Sequence, residues 1–158
     1  ARAVLAAITW PETRWGQRIK ASLSEKAYKP GGPYFIKHVP SIYETYGDAG
    51  VSSWGAWQML YVVAVEMGCH GDPWDLVNPG TAAPLVVALL NRRCFNVWKD
   101  APTPELVKPA DTIEEVGDFW NSGNFRDNRP PLAKYLPEIV EGYEQALDFY
   151  SAPLAATT

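Results

Sequence analysis

Residues 2–15 read Arg-Ala-Val-Leu-Ala-Ala-Ile-Thr-Trp-Pro-Glu-Thr-Arg-Trp. Val4, Leu5 and Ile8 recur at helical spacing, so residues 2–10 form a short apolar helix candidate. Pro11 cannot donate the helical hydrogen bond and marks a break or bend at its end. Glu12 follows directly, a carboxyl group next to an apolar helix and between Trp10 and Trp15.

Outward from there the chain reads as helices separated by Pro/Gly-rich turns. A weaker helix candidate covers 13–26, where Trp15, Ile19 and Leu23 share a face. Lys29-Pro30-Gly31-Gly32-Pro33 is a loop by its turn chemistry. Tyr34 to Tyr46 is broken near Pro40 and gives way to a turn at Gly47–Ser53. Residues 55–67 read as helix, with Trp57, Leu60, Tyr61, Ala64 and Met67 every three or four positions. Asn78-Pro79 or Thr81 starts another, carrying Leu85, Val86, Leu89 and Leu90 and stopping by Arg93. A charged, Pro-rich excursion covers 96–111. Thr112 and Glu115 then form a capping box that opens a helix through Trp120. The last helix runs from about Pro137 to Tyr150, with Ile139, Val140, Tyr143 and Leu147 inward. The fold class is therefore all-α: one domain over 1–150, a flexible tail at 151–158, and any hairpin or irregular insert confined to about 29–53.

The 158 residues suit a single apolar core. With 47% hydrophobic and 20% charged residues the chain is globular in composition. Seven Trp, eight Tyr and five Phe are more than the length requires. They serve a core, or the sugar-stacking faces of a carbohydrate groove. Residues 1–38 carry seven Lys/Arg against Glu12 and Glu25, a net +5, and the remainder is −9. That balance argues against a nucleic-acid partner, which needs a basic surplus. A basic front end suits an anionic polymer or simply a solvated face. No stretch approaches the about 20 apolar residues of a membrane span, and the apolar start is too short for a signal peptide. Cys69 and Cys94 fit one disulfide or two thiols. With His38 and His70 they lack the spacing of a zinc module, and no phosphate-cradling glycine motif is present. No cofactor and no metal are expected.

Four segments in order resemble the lytic transglycosylase domain of the soluble-transglycosylase type, which shares its fold with goose-type lysozyme. Ala7-Ile8-Thr9-Trp10-Pro11-Glu12-Thr13 resembles the family's helix ending in a catalytic Glu, with Thr13 in place of the usual Ser. Ser52-Ser53-Trp54-Gly55-Ala56-Trp57-Gln58-Met59-Leu60 resembles its Ser/Gly-x-x-Gly-Leu-Met-Gln signature, with Trp57 in place of Met. Asn78-Pro79 matches its helix-opening Asp/Asn-Pro. Phe119-Trp120-Asn121-Ser122-Gly123 resembles its Ala-Tyr-Asn-x-Gly, with Trp120 for Tyr, and the run from Lys134-Tyr135 resembles its Tyr-Val-x-x-Val helix start. The stretch between Glu12 and Gly55 is longer than in the simplest members. Phage- and prophage-associated relatives carry such an insert, with an aromatic run like His38-Val39-Pro40-Ser41-Ile42-Tyr43.

The resemblance implies a lysozyme-like enzyme that cleaves the MurNAc-β-1,4-GlcNAc bond of peptidoglycan and leaves 1,6-anhydroMurNAc ends. Glu12 is its catalytic acid; Ser53, Gly55, Gln58, Trp120, Asn121 and Tyr135 are its substrate contacts. Glycan strands are the expected partner, with phage or secretion-machine proteins a second class. The setting implied is periplasmic, extracellular or virion-associated.

Elementary chemistry points the same way. A glycosidic oxygen leaves only when protonated, so the site needs a carboxyl group kept neutral near pH 7, as partial desolvation achieves. Ordinary glycosidases pair two carboxylates, whereas the resembled family uses one Glu as acid and then as base. Glu44, in Tyr43-Glu44-Thr45-Tyr46, is the alternative acid, eleven residues before Gly55. Asp48 and Asp72, in Gly-rich turns, keep hydrolysis by a muramidase open. A non-catalytic glycan-binding or structural domain is the third reading.

Overall fold

The computed structural model describes residues 2–15, 39–96, 109–122 and 135–151. Expectations for 16–38, 97–108, 123–134 and 152–158 lie outside the described residues. These include most of the 13–26 helix, the 29–33 loop, most of the excursion and the tail. The described chain is mainly helical, with one two-stranded antiparallel hairpin. It divides into two compact units, residues 12–91 and residues 1–11 with 92–158.

In the second of these, α1 (Arg2–Thr13) contributes its first ten residues. The helix does not stop at Pro11 but runs through it, so Glu12 lies in the last helical turn. Pro11 has no N–H for the Ala7 carbonyl four residues back. That carbonyl instead faces Gly142 of α6 (Tyr135–Ser151): a Cβ added there would sit 3.2 Å from Ala7 O and 2.6 Å from Trp10 Cβ. Trp10 Nε1 donates to Glu141 Oε2 at 3.2 Å, and Gln145 Nε2 braces the other carboxylate oxygen at 3.0 Å. The expected inward set of α6 is corrected accordingly. Ile139, Gly142 and Ala146 are buried, Val140 and Tyr143 are half-buried, and Leu147 is 42% exposed. At position 142 only a small residue fits, because α1 crosses there too closely for a larger one.

A further helix of this unit, α5 (Ile113–Ser122), opens as its sequence dictates. Glu115 N–H donates to Thr112 Oγ1, while the Glu115 carboxylate reaches back to the N–H of Asp111. Val116, Gly117 and Phe119 are buried, and Gly117 packs beneath Ile139 of α6.

The unit of residues 12–91 is built from short elements. Pro40 opens α2 (Pro40–Tyr46) in its first turn. A 3₁₀ turn at Gly47–Val51 follows, then β1 (Ser53–Trp54) and β2 (Met59–Leu60), paired Ser53↔Leu60 and Trp54↔Met59. The helix expected over 55–67 is thus a hairpin turn first and α3 (Tyr61–Glu66) only afterwards. Gly55 has φ +75° and its missing Cβ would overlap the Leu76 carbonyl, a close approach no helix would allow. Among the described residues the hairpin lies at 53–60, and 39–52 hold α2 and the 3₁₀ turn. α3 ends in a Schellman arrangement: Gly68 has φ +97°, with Cys69 N–H on Ala64 O and Gly68 N–H on Val65 O. A 3₁₀ turn at Pro73–Val77 leads to α4 (Pro79–Leu90). Its start is as the residues require, with Asn78 Oδ1 accepting from Gly80 N–H and Pro79 in the first turn. The chain continues into a π-helical turn, Asn91–Phe95. Val51, Met59, Tyr61, Ala64, Leu76, Val86 and Leu90 are among the buried apolar residues here.

Candidate functional site

The residue after the candidate acid is the best anchored. Thr13 is 1% exposed and its Oγ1 donates to Ala56 O at 2.7 Å. Ala56 belongs to the hairpin turn, so this buried bond ties the Glu12 end of α1 to the loop that carries Gly55 and Gln58. Glu12 itself is half-buried. Trp10, expected to help desolvate it, directs its indole N–H to Glu141, and Trp15 is 44% exposed.

Backbone strain gathers on the same two segments. Among the described residues, the non-glycine positions with positive φ are Arg14 (51°), Trp15 (57°) and Gln58 (48°). Left-handed backbone costs an L-residue about 1–2 kcal/mol, and such positions concentrate where function over-determines geometry. Arg14 and Trp15 turn the chain away directly after Glu12-Thr13. Gln58 is not one turn into a helix, as its sequence suggested, but the last residue of a tight turn. Its backbone N–H and its Nε2 both donate to Gly55 O, at 3.2 and 2.9 Å. The side chain is half-buried. Gly55 makes a close approach, but to the Leu76 carbonyl. Ser53 is 4% exposed and lies in β1.

The other candidates divide as follows. Trp120 (half-buried) and Asn121 (exposed) occupy the end of α5, and half-buried Tyr135 is the first residue of α6. All three belong to the unit that holds α5 and α6, whereas Glu12, Ser53, Gly55 and Gln58 belong to the other. Gly123 lies outside the described residues. The alternative acid Glu44 is exposed on α2, a helix with no buried residue. Asp48 is exposed, and its carbonyl accepts from Ser52 Oγ at 2.6 Å.

Asp72 belongs to a cluster that the sequence reading missed. Tyr46 Oη donates to Asp72 Oδ1 at 2.8 Å, and Tyr61 Oη donates to Gly71 O at 2.9 Å. The Tyr46 ring meets Tyr61 edge-on at 5.3 Å and Trp74 edge-on at 6.1 Å. The Tyr61 hydroxyl and then the Asp72 carboxylate hold the Tyr46 proton, so this phenol titrates well above the usual tyrosine range. The available signal was Asp72-Pro73-Trp74-Asp75, a helix-opening pattern with an aromatic at its tip.

Cys69 and Cys94 are both buried and are not joined in a disulfide. Among the described residues, no group of three or more His, Cys, Asp or Glu is placed to hold a metal, and no helix is long and apolar enough to cross a membrane. No family model, curated protein or solved structure matches the chain.

Proposed function

We propose that this chain is a peptidoglycan lytic transglycosylase with a lysozyme-like helical fold and Glu12 as its acid. One observation carries the reading: the buried Thr13–Ala56 hydrogen bond holds the Glu12 helix end against a strained turn bearing the Gln58 amide. A half-buried carboxyl group at the end of an apolar helix suits general acid catalysis, because partial desolvation favours the protonated form.

In the proposed reaction neutral Glu12 gives its proton to the glycosidic oxygen between MurNAc and GlcNAc as the C1–O bond breaks. The resulting carboxylate then takes the proton of the MurNAc C6 hydroxyl. That oxygen closes on C1, giving the 1,6-anhydro end, and Glu12 is protonated again. The Gln58 amide can donate and accept hydrogen bonds to a bound N-acetyl group. Ser53 and Gly55, both buried, support the turn that bears Gln58, and Trp120, Asn121 and Tyr135 are the remaining resemblance-based candidates for strand contact. The enzyme would work where wall is reached, in the periplasm, outside the cell or on a virion.

The test is digestion of purified wall by the wild type and by Glu12→Gln, with fragment ends weighed by mass spectrometry. Anhydro ends from the wild type and none from Glu12→Gln are expected. Reducing ends alone would make the protein a hydrolytic muramidase. Release by Glu12→Gln but not by Glu44→Gln would move the acid to Glu44. No release by the wild type would leave a binding or structural role.

A further inference from the structure

We propose that Trp74 is a stacking platform for an N-acetylhexosamine ring of a glycan strand, with the carboxylate of Asp72 as acceptor for its hydroxyls. The assignment rests on the glycan reading above and adds a contact that the resemblance does not supply.

Trp74 is 52% exposed, and its exposure is held in place by what surrounds it. It sits in the Pro73–Val77 turn between Pro73 and Leu76, both fully buried. Asp75 Oδ2 accepts from Asp72 N–H at 2.8 Å and closes that turn. Tyr46 braces the indole edge-on, and Tyr46 is itself fixed by buried Tyr61 and by its bond to Asp72. An aromatic ring fixed before binding loses little conformational entropy when a ligand covers it.

The charge of the surrounding chain narrows the ligand. Residues 39–91 contain Glu44, Asp48, Glu66, Asp72 and Asp75 but no Lys or Arg. Residues 39–91 themselves therefore offer a phosphate or nucleic acid no counter-charge. A sugar ring offers an apolar face to the indole and hydroxyl donors to a carboxylate. A cation site would gather several rings about one point. Here the Tyr46 hydroxyl is committed to Asp72, and one indole is left open.

The test uses the Glu12→Gln protein, so that no turnover occurs, titrated with tetra-N-acetylchitotetraose. Binding is followed by the indole N–H resonances in ¹⁵N-labelled protein. The Trp74 resonance is expected to shift, Trp74→Ala to weaken binding about tenfold, and Trp74→Phe to restore part of it. Unchanged affinity in Trp74→Ala, with the parent protein binding, would overturn the platform and leave the glycan reading intact. A Trp74 resonance that shifts with choline and not with the tetrasaccharide would also overturn it. No binding by the parent protein and no wall cleavage by the wild type would overturn the glycan reading itself.

Discussion

Replacing Thr13 by Val removes one hydroxyl and keeps the side-chain shape. The Oγ1 that donates to Ala56 O at 2.7 Å is 1% exposed as a residue, so no water can take its place without opening the packing. Loss of a buried partner costs about 1–3 kcal/mol, a large share of the about 5–15 kcal/mol that stabilises a typical domain. With a urea dependence of about 2 kcal/mol per molar, the midpoint should fall by about 0.5–1.5 M. Thr13→Ser retains the donor and loses one methyl group, about 0.8 kcal/mol. Denaturation followed by tryptophan fluorescence measures both. Wall digestion supplies the second readout: Thr13→Ser should keep most activity, whereas Thr13→Val should lose at least as much as a misplaced catalytic group costs, about a hundredfold. A Thr13→Val protein with unchanged midpoint and full wall-cleaving activity would refute the view that this bond positions Glu12.

Gln58→Gly should unfold within about 0.5 kcal/mol of the wild type, since relief at φ 48° offsets the lost amide bond; Gln58→Val should lose about 1–3 kcal/mol. Equal urea midpoints for the two would remove backbone strain as a property of this turn. Gly142→Ala should be destabilising by about 1–2 kcal/mol despite its helix propensity, because its Cβ meets Trp10 Cβ at 2.6 Å. Gly117→Ala should likewise lower the urea midpoint, since its Cβ meets Cγ2 of buried, β-branched Ile139 at 2.8 Å. The raised titration of Tyr46 stabilises the folded state fully below about pH 10, the unfolded value, and that support is lost as pH rises toward the folded one. Tyr46→Phe should therefore flatten the alkaline decline of the urea midpoint above about pH 10, and an unaltered decline would count against the Tyr46–Asp72 link.

Elements with local causes were legible from residues alone. Asn78-Pro79 caps α4 and Thr112 caps α5 through bonds that span two or three residues, so their sequence suffices. The mainly helical class followed from apolar spacing in the same way. The hairpin at 53–60 did not, because Trp57, Leu60, Tyr61 and Ala64 repeat at helical intervals. What turns the chain there is Gly55 lodged against the carbonyl of Leu76, and that residue lies twenty-one positions away. Likewise the small residue at position 142 of α6 answers to the approach of Ala7 and Trp10.

The candidate site divides along the same line. Its acid and amide, Glu12 and Gln58, were visible as residue types in a resembling order. Their attachment through Thr13 and Ala56, the left-handed backbone of Gln58 and the Tyr46–Asp72–Trp74 cluster belong to the tertiary structure. A sequence specifies which groups are available and which short-range bonds they can close. Contacts between residues far apart in the chain depend on loop closure and packing, which leave no fixed spacing to read.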